Sequence, residues 1–191
     1  MKKRIAIFAS GFGSNAHVIM QACDRNEINA TVVLLFSDNA DANALVFARD
    51  FEVASEHLNP KTFNSKADYE TALLQLLEQH QIEFIVLAGY MRLIGKTLLD
   101  AYEGKIVNIH PSLLPNYKGL DAIGQAIQNG EEEIGVTIHY VDAGMDTGRI
   151  IAQRKIEQNI KGKEKAEIEK LVHALEHELY VEVLKGMFDG V

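Results

Sequence analysis

The chain has 191 residues, 47% hydrophobic and 24% charged, with a single cysteine and a formal net charge of −8. That composition excludes a disordered chain and a disulfide-framed one. The acidic balance argues against a broad nucleic-acid surface, which would call for a basic patch. The length suits one domain with its own core.

Met1–Arg4 followed by Ile5–Ala9 has the outline of a signal peptide. Its apolar stretch, however, is shorter than the ~7–15 residues such a segment needs. The apolar runs Ala30–Phe36 and Phe84–Ala88 are far short of the ~20 residues of a membrane span. Cys23 sits at a helix packing position, not in a nucleophile setting, and the chain suits the cytoplasm.

Short apolar runs then alternate with helical patterns, the mark of βαβ units and a parallel sheet. Ile5–Ala9 reads as a buried strand. Ser14–Arg25 reads as a helix with Ala16, Ile19, Met20 and Cys23 on one face. A strand at Thr31–Phe36, a helix at Ala42–Asp50 and a short strand at Glu52–His57 follow. Next come an amphipathic helix at Ala67–His80, a strand at Phe84–Ala88, a helix at Lys96–Ala101 and a strand at Ile106–Ile109. Beyond this the rhythm changes. Leu120–Gln128 reads as helix, and Gly135–Val141 and Arg149–Ile156 as strands with no helix between them. A final long helix repeats Ile168, Leu171, Val172, Leu175, Leu179 and Val183 at helical spacing. The expected fold is a single-domain α/β, doubly wound Rossmann-like sheet, parallel in its N-terminal part, with an antiparallel C-terminal addition and a long terminal helix.

Three places carry chemistry. Ser10-Gly11-Phe12-Gly13-Ser14-Asn15 joins the first strand to the first helix, where glycines permit a tight turn and helix N–H groups can receive a phosphate. The bland alternative is a plain turn capped by Ser14. A rival is dinucleotide binding, since Gly11-x-Gly13-x-x-Ala16 fits that fingerprint and Asp38 lies near its acidic position. Asn108 and His110 stand two apart at a strand end closed by Pro111, so they share one face of the strand. Asp146 lies in the glycine-rich loop Asp142–Gly148, where it and Asp142 could equally be turn residues. An amide, an imidazole and a carboxylate so placed can stabilise and protonate an oxyanion at a carbonyl carbon. His139 points away from Ile138 and Tyr140 and is expected to support the site. No Cys or His pair has metal-ligand spacing, so no metal is expected.

Taken together, these segments resemble the folate-dependent formyltransferase family. The resemblance runs from the first strand to the last helix. Its motifs are Gly13-Ser14-Asn15, Leu87-Ala88-Gly89-Tyr90-Met91-Arg92, Asn108-Ile109-His110-Pro111-Ser112-Leu113-Leu114-Pro115, Gly135-Val136-Thr137-Ile138-His139 and Met145-Asp146-Thr147-Gly148. It implies transfer of a formyl group from the co-substrate 10-formyltetrahydrofolate to the amine of 5-phosphoribosylglycinamide, without a metal. By similarity Gly13, Ser14 and Asn15 hold the phosphate and Glu176 the ribose. Lys66 and Met91, Arg92, Leu93 and Ile94 contact the folate, together with Asn108. Asn108, His110 and Asp146 carry the chemistry. Residues 1–191 form one formyltransferase domain, with about 1–110 a phosphoribosyl-binding half and about 111–191 completing the folate site.

The chain departs from the family pattern at Phe12, expected to narrow the phosphate site, at Leu120-Asp121-Ala122-Ile123, and at His173. Other readings are formylation of a different amine, formyltetrahydrofolate hydrolysis, and a dinucleotide-binding regulator. The expected partners are small molecules, with no nucleic acid and no membrane. A homodimer is left open.

Overall fold

Ile5 and Ile7 face one way along the first strand, Ala6 and Phe8 the other, and all four are fully buried. A strand buried on both faces needs a helical layer on each side. The computed structural model, which describes residues 1–189, has both layers. In chain order the elements are β1 (Lys3–Phe8), α1 (Ser14–Asp24), β2 (Ala30–Ser37), α2 (Asn43–Asp50), β3 (Ala54–His57), α3 (Lys66–Gln79), β4 (Phe84–Leu87), α4 (Lys96–Ala101), β5 (Ile106–His110), α5 (Ala122–Gln128), β6 (Gly135–Tyr140), β7 (Ile150–Lys155) and α6 (Lys165–Phe188).

The sheet order is β3-β2-β1-β4-β5-β6-β7. β1 to β5 pair in parallel, and β6 and β7 join antiparallel. Helices α1, α2, α5 and α6 cover one face, and α3 and α4 the other. The direction of winding reverses between β1 and β4, and in open α/β sheets ligands bind beyond the carboxyl ends of the strands at such a point.

Several boundaries moved for local reasons. α5 begins at Ala122 rather than Leu120, because Asp121 adopts φ 51° and accepts the Gly124 N–H at 3.2 Å as an N-cap. β3 starts two residues later than expected because Glu52, with φ 55°, turns the chain after α2. A 3-10 turn at Pro60–Thr62, absent from the sequence reading, is capped by the Asn59 side chain on Lys61 N–H at 3.0 Å.

α6 is fastened to the sheet by Tyr180. The ring is fully buried, and its hydroxyl donates to Leu87 O at 2.8 Å with a longer approach to Val107 O at 3.4 Å. Burial pushes this phenol far above its ordinary pKa, so it stays a donor. The helix is thereby pinned over the C-terminal end of β4 and the adjoining stretch of β5, one turn from Glu176.

Candidate active site

A cavity of about 810 Å³ opens at this edge. The turn after β1, the ends of β4, β5 and β6, the loop before β7 and α6 all contribute to its walls. The first wall is the turn after β1. Gly13 has φ +81°, and a Cβ there would stand 2.5 Å from Ala44 Cβ, so only glycine fits against α2. Gly13 is also the N-cap of α1 and offers no side-chain cap. The Ser14 cap of the bland alternative is therefore absent, and the first-turn N–H groups are not taken up by a capping side chain. Asn15 projects from that turn and donates to Glu176 Oε2 at 3.1 Å. Burial pushes the Glu176 carboxyl up, only partly offset by Asn15 and His173. The pair joins the first and last helices, so the two halves expected along the chain share one site.

Phe12 does not narrow this turn from within. It lines the cavity mouth 69% exposed, its ring edge-on to Phe47 at 5.6 Å. Leu120, at another departure from the family pattern, is an exposed residue of the lining.

The second wall follows β4. Met91 and Leu93 are exposed apolar lining, and Ile94 is buried. Arg92 lines the cavity but is not free, since its Nε donates to Asp38 Oδ2 at 3.1 Å. Asp38 Oδ1 accepts from Ser10 Oγ at 2.6 Å, and Ser10 Oγ accepts the Met91 N–H at 2.9 Å. Asp38 is thus occupied holding the turn after β1 to the β4 segment, which removes the acidic partner that the dinucleotide reading required. Glu70, buried on α3, accepts the Gly95 N–H at 2.6 Å and anchors the far end of the same segment. Sequence reasoning missed both anchors, because nothing local links Asp38 to Arg92 or Glu70 to Gly95. Lys66 stands at the start of α3, outside the cavity lining, so the structure does not bring it into the site.

The third wall carries the reactive groups. Asn108 and His110 lie on the face of β5 opposite Val107 and Ile109, as their spacing required. The antiparallel register sets Asn108 opposite His139 and His110 opposite Thr137. His139 Nδ1 donates to Tyr140 O at 2.8 Å, which fixes a proton on that nitrogen. Its Nε2 stands 3.3 Å from the Asn108 amide nitrogen and 3.7 Å from Asp146 Oδ1. Nε2 accepts an Asn108 N–H when the ring is neutral and donates towards Asp146 Oδ1 when it is protonated, and either way Asn108 keeps an N–H for a ligand. His139 therefore both lines the cavity and meets the Asn108 amide.

His110 is 5% exposed. Its Nδ1 lies 3.4 Å from Asp146 Oδ2 and its Nε2 2.7 Å from Tyr117 O. Each ring nitrogen faces an oxygen acceptor, and only an imidazolium donates to both. Asp146 holds φ +53° in the left-handed region, which aspartate tolerates, and its Oδ2 also accepts the Gly119 N–H at 2.8 Å. Burial raises the Asp146 carboxyl, but the His139 ring, the Gly119 N–H and the His110 charge outweigh it. The group stands below the usual carboxylate range. Asp142, by contrast, is a turn residue whose Oδ1 accepts Gly144 N–H at 3.0 Å and Thr147 Oγ1–H at 2.6 Å.

Ser112 is buried and donates to Asn116 O at 2.6 Å, a loop tie and not a nucleophile. Burial pushes the Cys23 thiol up to about 12, which leaves it inert. Among the described residues no group of three or more His, Cys, Asp or Glu side chains could hold a metal ion. No helix among them is long and apolar enough to cross a membrane.

A Rossmann-like sheet with an amide, an imidazole and a carboxylate gathered at its C-terminal edge is the architecture of a one-carbon transferase. The chain belongs to the formyl transferase family, whose model matches residues 3–184. It is 48% identical over 186 residues to the phosphoribosylglycinamide formyltransferase of Bacillus subtilis, covering 97% of this chain and 94% of that protein. The Escherichia coli protein of the same name is 37% identical, covering 97% and 87%. The crystal structure of glycinamide ribonucleotide transformylase 1 from Geobacillus kaustophilus aligns with a TM-score of 0.95 at 49% identity, covering 98% of this chain and all of that one.

Proposed function

We propose that the chain is a phosphoribosylglycinamide formyltransferase of de novo purine biosynthesis. It transfers the formyl group of 10-formyltetrahydrofolate to the amine of 5-phosphoribosylglycinamide. The observation that carries this reading is the cavity itself, which joins a capless helix N-terminus with Glu176 to the Asn108–His110–Asp146 cluster. A phosphorylated sugar fits the first end and a carbonyl under attack the second. Other amine acceptors and formyltetrahydrofolate hydrolysis are not favoured by the named relatives.

The phosphate rests on Gly13, Ser14 and Asn15, and Glu176 takes the ribose hydroxyls. The folate lies against Met91, Arg92, Leu93 and Ile94 and reaches Asn108; Lys66 forms no part of these walls. The neutral substrate amine attacks the formyl carbon. A C–N bond forms to the acceptor, the bond to the folate nitrogen breaks, and the proton lost by the amine is balanced by one gained at that nitrogen. Negative charge collects on the formyl oxygen in between. Asn108 donates its free N–H there, and His110 exchanges the Tyr117 carbonyl for the same oxygen. Asp146, already charged, holds the imidazolium in place. The cavity is complete within one chain, so this reading requires no homodimer. A lone buried thiol fits the reducing cytoplasm.

Purified protein should consume 10-formyltetrahydrofolate only when phosphoribosylglycinamide is present, with neither metal nor ATP added. Turnover of the folate without the amine would replace this reading with the hydrolase.

A further inference from the structure

β2, β1 and β4 lie side by side in the sheet, and the loops that follow them meet at the switch in winding direction. Backbone pairing ends there with Ser10 N–H donating to Gly89 O at 3.0 Å. Beyond that bond the turn after β1 and the segment after β4 form different walls of the cavity. Among the described residues, the further hydrogen bonds between these walls run through the Ser10 hydroxyl and Asp38.

Asp38 follows β2, its side chain is 13% exposed, and it is not part of the cavity lining. Its two oxygens have separate partners. Oδ1 accepts the Ser10 Oγ–H at 2.6 Å, and Oδ2 accepts the Arg92 Nε–H at 3.1 Å. Ser10 Oγ in turn accepts the Met91 N–H at 2.9 Å, so hydroxyl and carboxylate together bridge one wall to the other. Asn39 braces the same corner, its Nδ2 donating to Ser10 O at 3.3 Å. The Arg92 guanidinium lies 5.9 Å from the centroid of the Tyr69 ring, a second hold on the far arm of the bridge.

Transfer between two bound molecules needs the reacting atoms about 3–3.5 Å apart, and a misplacement of about 1 Å can lower the rate by the order of 10². In the function proposed above, the ribonucleotide rests on the turn after β1 and the folate against the segment after β4. The distance from amine to formyl carbon therefore depends on the spacing of the two walls. We propose that Asp38 is a positioning residue for the transfer, which fixes that spacing and so aligns the two substrates without meeting either. The inference rests on the substrate placement given above.

The test compares kcat, both KM values, Tm and inhibition by a covalent adduct of the ribonucleotide with a folate analogue, a probe that spans both walls. Asp38→Ala severs both arms of the bridge. Asp38→Asn severs only one, because its Oδ1 still accepts from Ser10 while its amide nitrogen cannot accept from Arg92. We expect kcat to fall by about 10–100-fold in Asp38→Ala and by about 3–10-fold in Asp38→Asn. Affinity for the adduct should fall in step with kcat, while each KM stays within about twofold of the parent. Asp38→Asn is nearly isosteric, and it decides the question if Asp38→Ala does not fold. A loss confined to one KM would assign Asp38 to a single wall and overturn the proposal. A parallel loss of Tm and of every affinity would make it a purely structural tie, with the same consequence. Parental kcat and adduct affinity in the variants that fold would also overturn it. An adduct that does not bind the parent, with no ribonucleotide-dependent turnover, would instead remove the enzymatic reading beneath the proposal.

Discussion

One half-buried and one buried carboxylate line the same cavity, and their surroundings push them in opposite directions. Asp146 sits in a loop between β6 and β7, with a backbone N–H on one oxygen and two imidazoles within 3.4 and 3.7 Å. It is held below the ordinary range. Glu176 sits on a helix facing the sheet, 6% exposed, with one neutral amide for a partner, and burial raises it. The comparison separates two uses of one functional group. The first has several donors and favours its charged form; the second has one, and in the function proposed above the hydroxyls of a sugar complete its hydrogen bonds.

The largest effect should come from removing the charged member. In Asp146→Asn the amide still accepts the Gly119 N–H, so fold and ligand affinities should change little. It supplies no charge for the His110 imidazolium, and kcat should fall by roughly 10²–10⁴. Parental kcat would leave Asp146 a turn residue, like Asp142.

At the other end, Gly13→Val forces a Cβ onto Ala44 and a β-branched residue into positive φ. The ribonucleotide KM should rise by about tenfold or more while the folate KM holds, with some loss of Tm. A rise in the folate KM instead would mean that the turn receives the wrong ligand in our assignment.

The smallest effect sharpens the contrast most directly. Glu176 is raised above its unfolded value, so the stability it contributes is full at acid pH and is lost as pH rises through the folded value. Glu176→Gln lacks that loss, and its Tm should overtake the parent's on going from about pH 5 to about pH 9. Asp146 is depressed, so its contribution is present above an unfolded value of about 3.9 and lost as pH falls through the folded one. Asp146→Asn should therefore be less stable than the parent near neutrality, with the gap closing in acid. Differences of the same sign near neutrality would refute the contrast.

The elements were legible because apolar periodicity is local. α4 was found at its predicted bounds, and the shift from βαβ to paired strands at Gly135 is visible in the chain. Ends were less legible where a side chain outside the pattern decided them, as Asp121 does for α5. At the site, the common face of Asn108 and His110 follows from strand alternation, and the end of β5 at His110 follows from Pro111. Arg92 shows where such reading stops. Its place in a recognised segment implied a folate contact, but nothing local announced the bond from its Nε to Asp38, 54 positions away.

By itself the sequence determined the α/β class, the strand and helix order, the family, and which faces of β5 and β6 carry polar groups. Tertiary structure alone decided what those groups meet. It set His139 beside Asn108 through an antiparallel register, chose Asp146 over Asp142, and brought Glu176 to Asn15 across 161 positions. It also gave His110 the Tyr117 carbonyl as a competing partner. The physical reason is one of range. Periodicity and backbone propensity act within a few residues, whereas pairing and charge depend on distances that exist only once the sheet and α6 have closed around the cavity.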